Sequence, residues 1–181
     1  MTTPWARAFG YRTQKDRSGD EIAALLAKIP IFEDLSKQDL AAVERILHRR
    51  DYDAGEPIFR QDEPALGMYI IQSGEVTILL EPSDIIVSEL HNGDFFGEVG
   101  LLDESPRSAT ARAKTHCSVF GFFQPDLFGL IERDPRLGVK IVLRVARIIG
   151  ARLRKTNEQA MALAEEVQKL KRRQRTGSRQ E

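Results

Sequence analysis

The spacing of apolar residues changes period twice along the chain. From Asp20 to about Arg50 it is helical: Ile22, Leu25, Leu26 and Ile29, then, after Pro30, Leu40, Val43, Ile46 and Leu47. Ser36 stands three residues before Asp39, the arrangement of a capping box, and starts the second of these helices. Between about Tyr52 and Gln124 the period becomes that of strands. Short runs such as Pro57–Phe59, Met68–Ile71, Val76–Leu80, Ile85–Val87 and Val119–Phe123 alternate with turn formers, among them Asp53-Ala54-Gly55, Ser73-Gly74, Pro82-Ser83-Asp84 and Asn92-Gly93-Asp94. Many short strands at this spacing predict a small sandwich, jelly roll or barrel. With helices only at its two ends, the fold class is α+β.

The last stretch is the most regular. Val142, Ala146, Ile149, Leu153, Thr156, Ala160, Leu163, Val167 and Leu170 follow one another at steps of 4, 3, 4, 3, 4, 3, 4 and 3 residues, a heptad seam. A helix from about Arg136 to Arg172 would be roughly 55 Å long at about 1.5 Å per residue. Its far half is too long to pack on its own small domain, so the seam predicts pairing with a second copy of the chain. An amphipathic helix folded back on the barrel is the alternative.

Composition narrows the class. The 181 residues carry 27 Lys+Arg and 27 Asp+Glu, so the whole molecule is not an evident polyanion binder. One cysteine, Cys117, excludes an internal disulfide framework. It has no basic motif beside it and reads as a buried thiol rather than a nucleophile. His48, His91 and His116 lie far apart and lack metal-ligand spacing, so no metal is expected. No apolar run approaches the roughly 18 to 20 residues that span a bilayer. The first residues lack a signal-peptide core, and the expectation is a soluble cytoplasmic protein.

One segment carries chemistry: Phe95-Phe96-Gly97-Glu98-Val99-Gly100-Leu101-Leu102-Asp103-Glu104-Ser105-Pro106-Arg107-Ser108-Ala109-Thr110. Gly97 and Gly100 let the backbone bend tightly and come close to a ligand. Glu98 to Leu102 is long enough for one helical turn, whose free N–H groups suit an anion. Arg107 can grip a phosphate with parallel hydrogen bonds, and the Ser108 hydroxyl would complete the cradle. Glu98 repels a phosphate but suits a neighbouring hydroxyl, as on a ribose ring. The competing reading is a loop in which Glu98 and Arg107 pair with each other.

These residues resemble the phosphate-binding cassette of the cyclic nucleotide-binding domain family, the fold of the catabolite activator protein and of protein kinase A regulatory subunits. Pro30-Ile31-Phe32 to Leu40, Gly55-Glu56-Pro57-Ile58, Met68 to Val76 and Gly93-Asp94 extend the likeness, which covers about Glu21 to Asn157. The resemblance implies a jelly roll flanked by N-terminal helices and a long C-terminal helix. The layout is an arm at 1–19, the binding domain at 20–135, a dimerising helix at 136–173 and a basic tail at 174–181. It implies that Glu98 accepts the ribose 2′-hydroxyl and Arg107 neutralises the cyclic phosphate. Gly97, Val99, Gly100, Ser108 and Ala109 assist, and Val87 and Ser88 form a wall near the base. Thr156 and Asn157 align with a polar pair that, in the catabolite activator subgroup, reaches the adenine amino group from both subunits. Ser108-Ala109 after Arg107 resembles cyclic AMP sites more than cyclic GMP sites, and cyclic GMP is the alternative ligand. Asp62 stands where the family usually has Gly, and Asp tolerates the left-handed turn needed there.

The expected function is a non-enzymatic cyclic nucleotide sensor, cyclic AMP being its expected ligand. Only 11 residues follow Leu170, too few for a helix-turn-helix, so the sensor is expected to signal to a separate, unidentified protein partner. Two other readings are a coiled-coil scaffold that keeps the fold without nucleotide, and a nucleic-acid accessory using the basic tail (Lys169, Lys171, Arg172, Arg173, Arg175, Arg179).

Overall fold

The computed structural model describes residues 19–177, with side chains described for 21–171. Trp5, Phe9 and Tyr11 of the expected arm, and Arg172, Arg173, Arg175 and Arg179 of the basic cluster, lie outside the described side chains.

Among the described residues two short helices, α1 (Gly19–Leu26) and α2 (Lys37–Glu44), precede eight strands. The strands are β1 (His48–Tyr52), β2 (Pro57–Phe59), β3 (Gly67–Ser73), β4 (Val76–Leu80), β5 (Ile85–Leu90), β6 (Phe95–Phe96), β7 (Thr110–Ala113) and β8 (Cys117–Phe123). They form two four-stranded antiparallel sheets, ordered β1-β8-β3-β6 and β2-β7-β4-β5. Two helices follow the strands, α3 (Gln124–Arg133) and α4 (Pro135–Gly177). The class is α+β, with helices packed against one side of a jelly roll, as expected.

The continuous apolar runs of β3 and β8 have a simple cause: both strands are buried on both faces. Tyr69, Ile71, Cys117 and Val119 face the second sheet, where they meet Val76, Ala111 and Ala113, with Phe96 of β6 packed beside them. Met68, Ile70, Phe120 and Phe122 face the other way, onto Leu26, Phe32, Leu127, Leu137 and Ile141 of the helical layer. Alternation along a strand thus feeds two cores at once.

The capping box at Ser36 is present, with the Asp39 N–H donating to Ser36 Oγ and the Ser36 N–H to the Asp39 carboxylate, each at 3.2 Å. The left-handed turn at Asp62 is also present, at φ 66°. Three details differ from the sequence pattern. Helical spacing extends to about Arg50, but β1 begins at His48, because the main chain there pairs with β8 from His48↔Gly121 to Tyr52↔Cys117. Helix α3 has no counterpart in the sequence reading; its Leu127 and Leu130 bury against the barrel, and its Asp126 accepts hydrogen bonds from the Phe123 N–H and from His48 Nε2. The C-terminal helix runs unbroken from Pro135 to Gly177, past the expected Arg172.

Helix α4 begins with proline in its first turn, and Asp134 accepts the Leu137 N–H at 3.0 Å. Leu137, Ile141 and Val145 bury its first turns, and Arg136 bonds Asp39 at 2.8 Å while Arg144 pairs with Glu33 and Asp34. From Ala151 to Lys171 every residue is exposed.

Candidate functional site

The cassette follows β6. Gly97 takes a left-handed conformation (φ 75°) and turns the chain into a single 3-10 turn, Glu98–Leu101, so the helical turn expected there is present. Beyond that turn the chain runs to Pro106, which forms a β-bridge with Pro64. The Arg107 main chain is strapped to the 60–64 loop: its N–H donates to the Glu63 carbonyl at 2.8 Å, and its own carbonyl accepts from the Asp62 N–H at 2.9 Å.

The Arg107 side chain is buried, at 6% exposure. Its guanidinium lies over the Phe59 ring, 4.0 Å from the centroid, and 6.0 Å from that of Tyr69. One terminal nitrogen donates to the Gly97 carbonyl at 3.2 Å, while Nε is buried with no hydrogen-bond partner among the described residues. Burial pulls the Arg107 pKa down, opposed by Tyr69, Glu63 and Glu98. Burial likewise pushes the Tyr69 hydroxyl up to about 12.

The glycines also make room inside the cassette. A Cβ at Gly97 would stand 2.6 Å from an Arg107 guanidinium nitrogen, and one at Gly100 would stand 3.0 Å from the same atom and 2.7 Å from Ala65 Cβ. Their missing side chains make room for Arg107 itself.

Glu98 is also buried, at 5% exposure, and does not pair with Arg107. Its Oε2 accepts a 2.8 Å bond from Arg152 of α4, whose other terminal nitrogen donates to the Phe95 carbonyl at 3.2 Å and whose guanidinium lies 4.9 Å from the Phe95 ring centroid. Sequence reasoning missed Arg152: it is 54 residues from Glu98, and a lone arginine on a helix reads as a solvated charge.

The other expected residues are spread more widely. Val99 and Ser108 are exposed on the cassette and Ala109 is half-buried. In β5, Ser88 pairs with Ile78 and Ile86 with Leu79, which leaves Val87 as the bulged residue; both Val87 and Ser88 are exposed. Thr156 and Asn157 are exposed beyond the domain, where the Thr156 hydroxyl donates to the Arg152 carbonyl at 3.0 Å, so one chain does not bring them to its own cassette. Cys117 is fully buried. Among the described residues no helix is long and apolar enough to cross a membrane, and no group of three or more His, Cys, Asp or Glu could hold a metal ion.

Residues 49–134 match the family model of the cyclic nucleotide-binding domain. The chain carries a domain of this family. The cyclic AMP receptor protein of Thermus thermophilus is 31% identical over 121 residues, 65% of this chain and 56% of the relative. A cAMP-dependent protein kinase regulatory subunit of Emericella nidulans is 34% identical over 96 residues, 53% of this chain and 23% of the relative. The crystal structure of the Thermus thermophilus catabolite activator protein superposes with a TM-score of 0.67 at 29% identity, covering 75% of this chain and 63% of that one. This chain thus spans from about a quarter to just over half of these curated relatives, and what it shares with them is the cyclic nucleotide-binding domain.

Proposed function

We propose that the cyclic nucleotide-binding domain is a non-enzymatic sensor of cyclic AMP, preferred over cyclic GMP, that works in the cytoplasm and reports occupancy through α4 to a separate protein. Arg107 neutralises the cyclic phosphate, with the main chain of Gly97, Val99 and Gly100 and with Ser108 and Ala109 around it. Glu98 accepts the ribose 2′-hydroxyl, and Val87 and Ser88 flank the base.

The unpartnered Nε of Arg107 carries this reading. A guanidinium buried at 6% exposure loses most of its hydration, and a carbonyl and two aromatic faces replace only part of it. A buried cation with an open donor is the complement of a small anion. Two relatives bear cyclic AMP in their names, which favours that nucleotide.

The second half of α4 supports a homodimer. Leu153, Leu163, Val167 and Leu170 are 41% to 62% exposed on a stretch that its own domain leaves uncovered. In a parallel pair, Glu166 of one helix would face Lys171 of the other across the seam. Thr156 and Asn157 then lie where a second chain's base could meet them.

Isothermal titration calorimetry tests the site. Arg107→Ala should weaken cyclic AMP binding by about 1.5 to 3 kcal/mol, roughly ten- to 150-fold. Glu98→Ala should weaken it too, and cyclic GMP should bind less tightly than cyclic AMP. Unchanged affinity in both variants would defeat the assignment.

A further inference from the structure

Arg107 is held from outside the cassette. Main-chain bonds tie it to the turn after β2: its N–H donates to the Glu63 carbonyl at 2.8 Å, and its own carbonyl accepts from the Asp62 N–H at 2.9 Å. Phe59, the last residue of β2, lies under the guanidinium, with Cζ 4.0 Å from the ring centroid. One stretch, Phe59 to Pro64, therefore grips the residue at both ends, Pro64 through its bridge to Pro106. Tyr69 and Phe96 brace the Phe59 ring in turn, with centroids 5.9 and 5.8 Å away, and they stack on each other at 5.6 Å. This box is uncharged, because burial pushes the Tyr69 hydroxyl up to about 12 and it keeps its proton at neutral pH. Among the described residues no carboxylate forms an ion pair with Arg107.

We propose that Phe59 is a positioning residue for ligand binding: its ring face, backed by Tyr69 and Phe96, holds the unpaired guanidinium inside the cassette, open to an anion. This rests on the reading of Arg107 as the phosphate ligand. A buried cation without a counter-charge is drawn toward water. One carbonyl and the ring faces oppose that pull. A carboxylate partner would hold the side chain more firmly, but it would compete with the phosphate for the same N–H donors. An aromatic face attracts the flat side of the guanidinium and leaves its N–H edge free. Affinity then depends on the fraction of chains in which the guanidinium is already in place, and that fraction falls as the ring's attraction weakens.

The test uses the full chain, with Phe59→Leu and with Phe59 replaced by mono-, di- and trifluorinated phenylalanine. Fluorine drains electron density from the ring face and nearly keeps its shape, so a ring that only fills space would be indifferent to it. Cyclic AMP affinity, measured by calorimetry, should fall with each added fluorine, and Phe59→Leu should lose about two- to thirtyfold. Phe59 is only half-buried, and the fluorinated series stands in for the leucine variant should that one fail to fold. In the ligand-free chain, NMR should find the Arg107 Nε proton upfield of the other arginines, assigned by its loss in Arg107→Ala, and Phe59→Leu should move it back toward them. Affinity that ignores the fluorine content overturns the proposal, as does an Nε proton left unmoved by Phe59→Leu. A wild type that binds no cyclic AMP overturns the sensor reading and the ring's part in it, whereas normal binding at every fluorine content overturns the ring's part alone.

Discussion

A methyl group added at Gly100 would have nowhere to go. Its nearest neighbours are Ala65 Cβ at 2.7 Å, which is fixed to the main chain, and an Arg107 nitrogen at 3.0 Å, which can move. Gly100→Ala should therefore displace the guanidinium, lower cyclic AMP affinity at least about tenfold and destabilise the fold by about 1 to 3 kcal/mol. Gly129→Ala is the control, because a Cβ there meets nothing within 4 Å and sits inside α3. It should raise stability by about 0.5 to 1 kcal/mol and leave affinity unchanged. Titration calorimetry and urea melts read both. At this scale the cassette was legible because its parts are contiguous: Gly97, Glu98, Gly100 and Arg107 lie within eleven positions. Arg152 was not legible, since its role comes from where α4 leaves the barrel.

Elements show the same division between local pattern and tertiary placement. Strands β3 and β4 announced themselves through apolar runs, and α4 through its heptads. Strand β1 did not, because His48-Arg49-Arg50-Asp51 has no apolar alternation and is ordered by pairing with β8. Helix α3 was hidden by its shortness and by Pro125, which is compatible with a helix's first turn but also marks loops. The outer half of α4 yields a prediction of its own. Leu163→Glu should convert the proposed dimer to a monomer in sedimentation equilibrium, with the domain's own stability changed by less than about 0.5 kcal/mol, because Leu163 is 62% exposed within one chain. Met161→Glu, at 68% exposure but off the seam, should leave the dimer intact.

For the whole molecule, the sensor reading makes folding and ligand binding one linked equilibrium. A nucleotide that binds only the folded chain adds RT ln(1 + [L]/Kd), about 2.7 kcal/mol at a hundredfold excess over Kd. For a chain of this length each kcal/mol moves the melting temperature by about 2 to 4 °C, so cyclic AMP should raise it by about 5 to 10 °C. Arg107→Ala should lose that shift, and a scaffold that keeps the fold without nucleotide would show none in the wild type. The molecule is formally neutral, with 27 basic and 27 acidic side chains, so long-range attraction contributes little and the shift should survive added salt. Binding through the basic tail would instead fall steeply with salt. If α4 carries the signal, reciprocity follows: whatever factor cyclic AMP applies to dimer association, dimerisation must apply to cyclic AMP affinity. Titrations at two protein concentrations, one below and one above the dimer's dissociation constant, should therefore give different affinities in the wild type and the same affinity in Leu163→Glu.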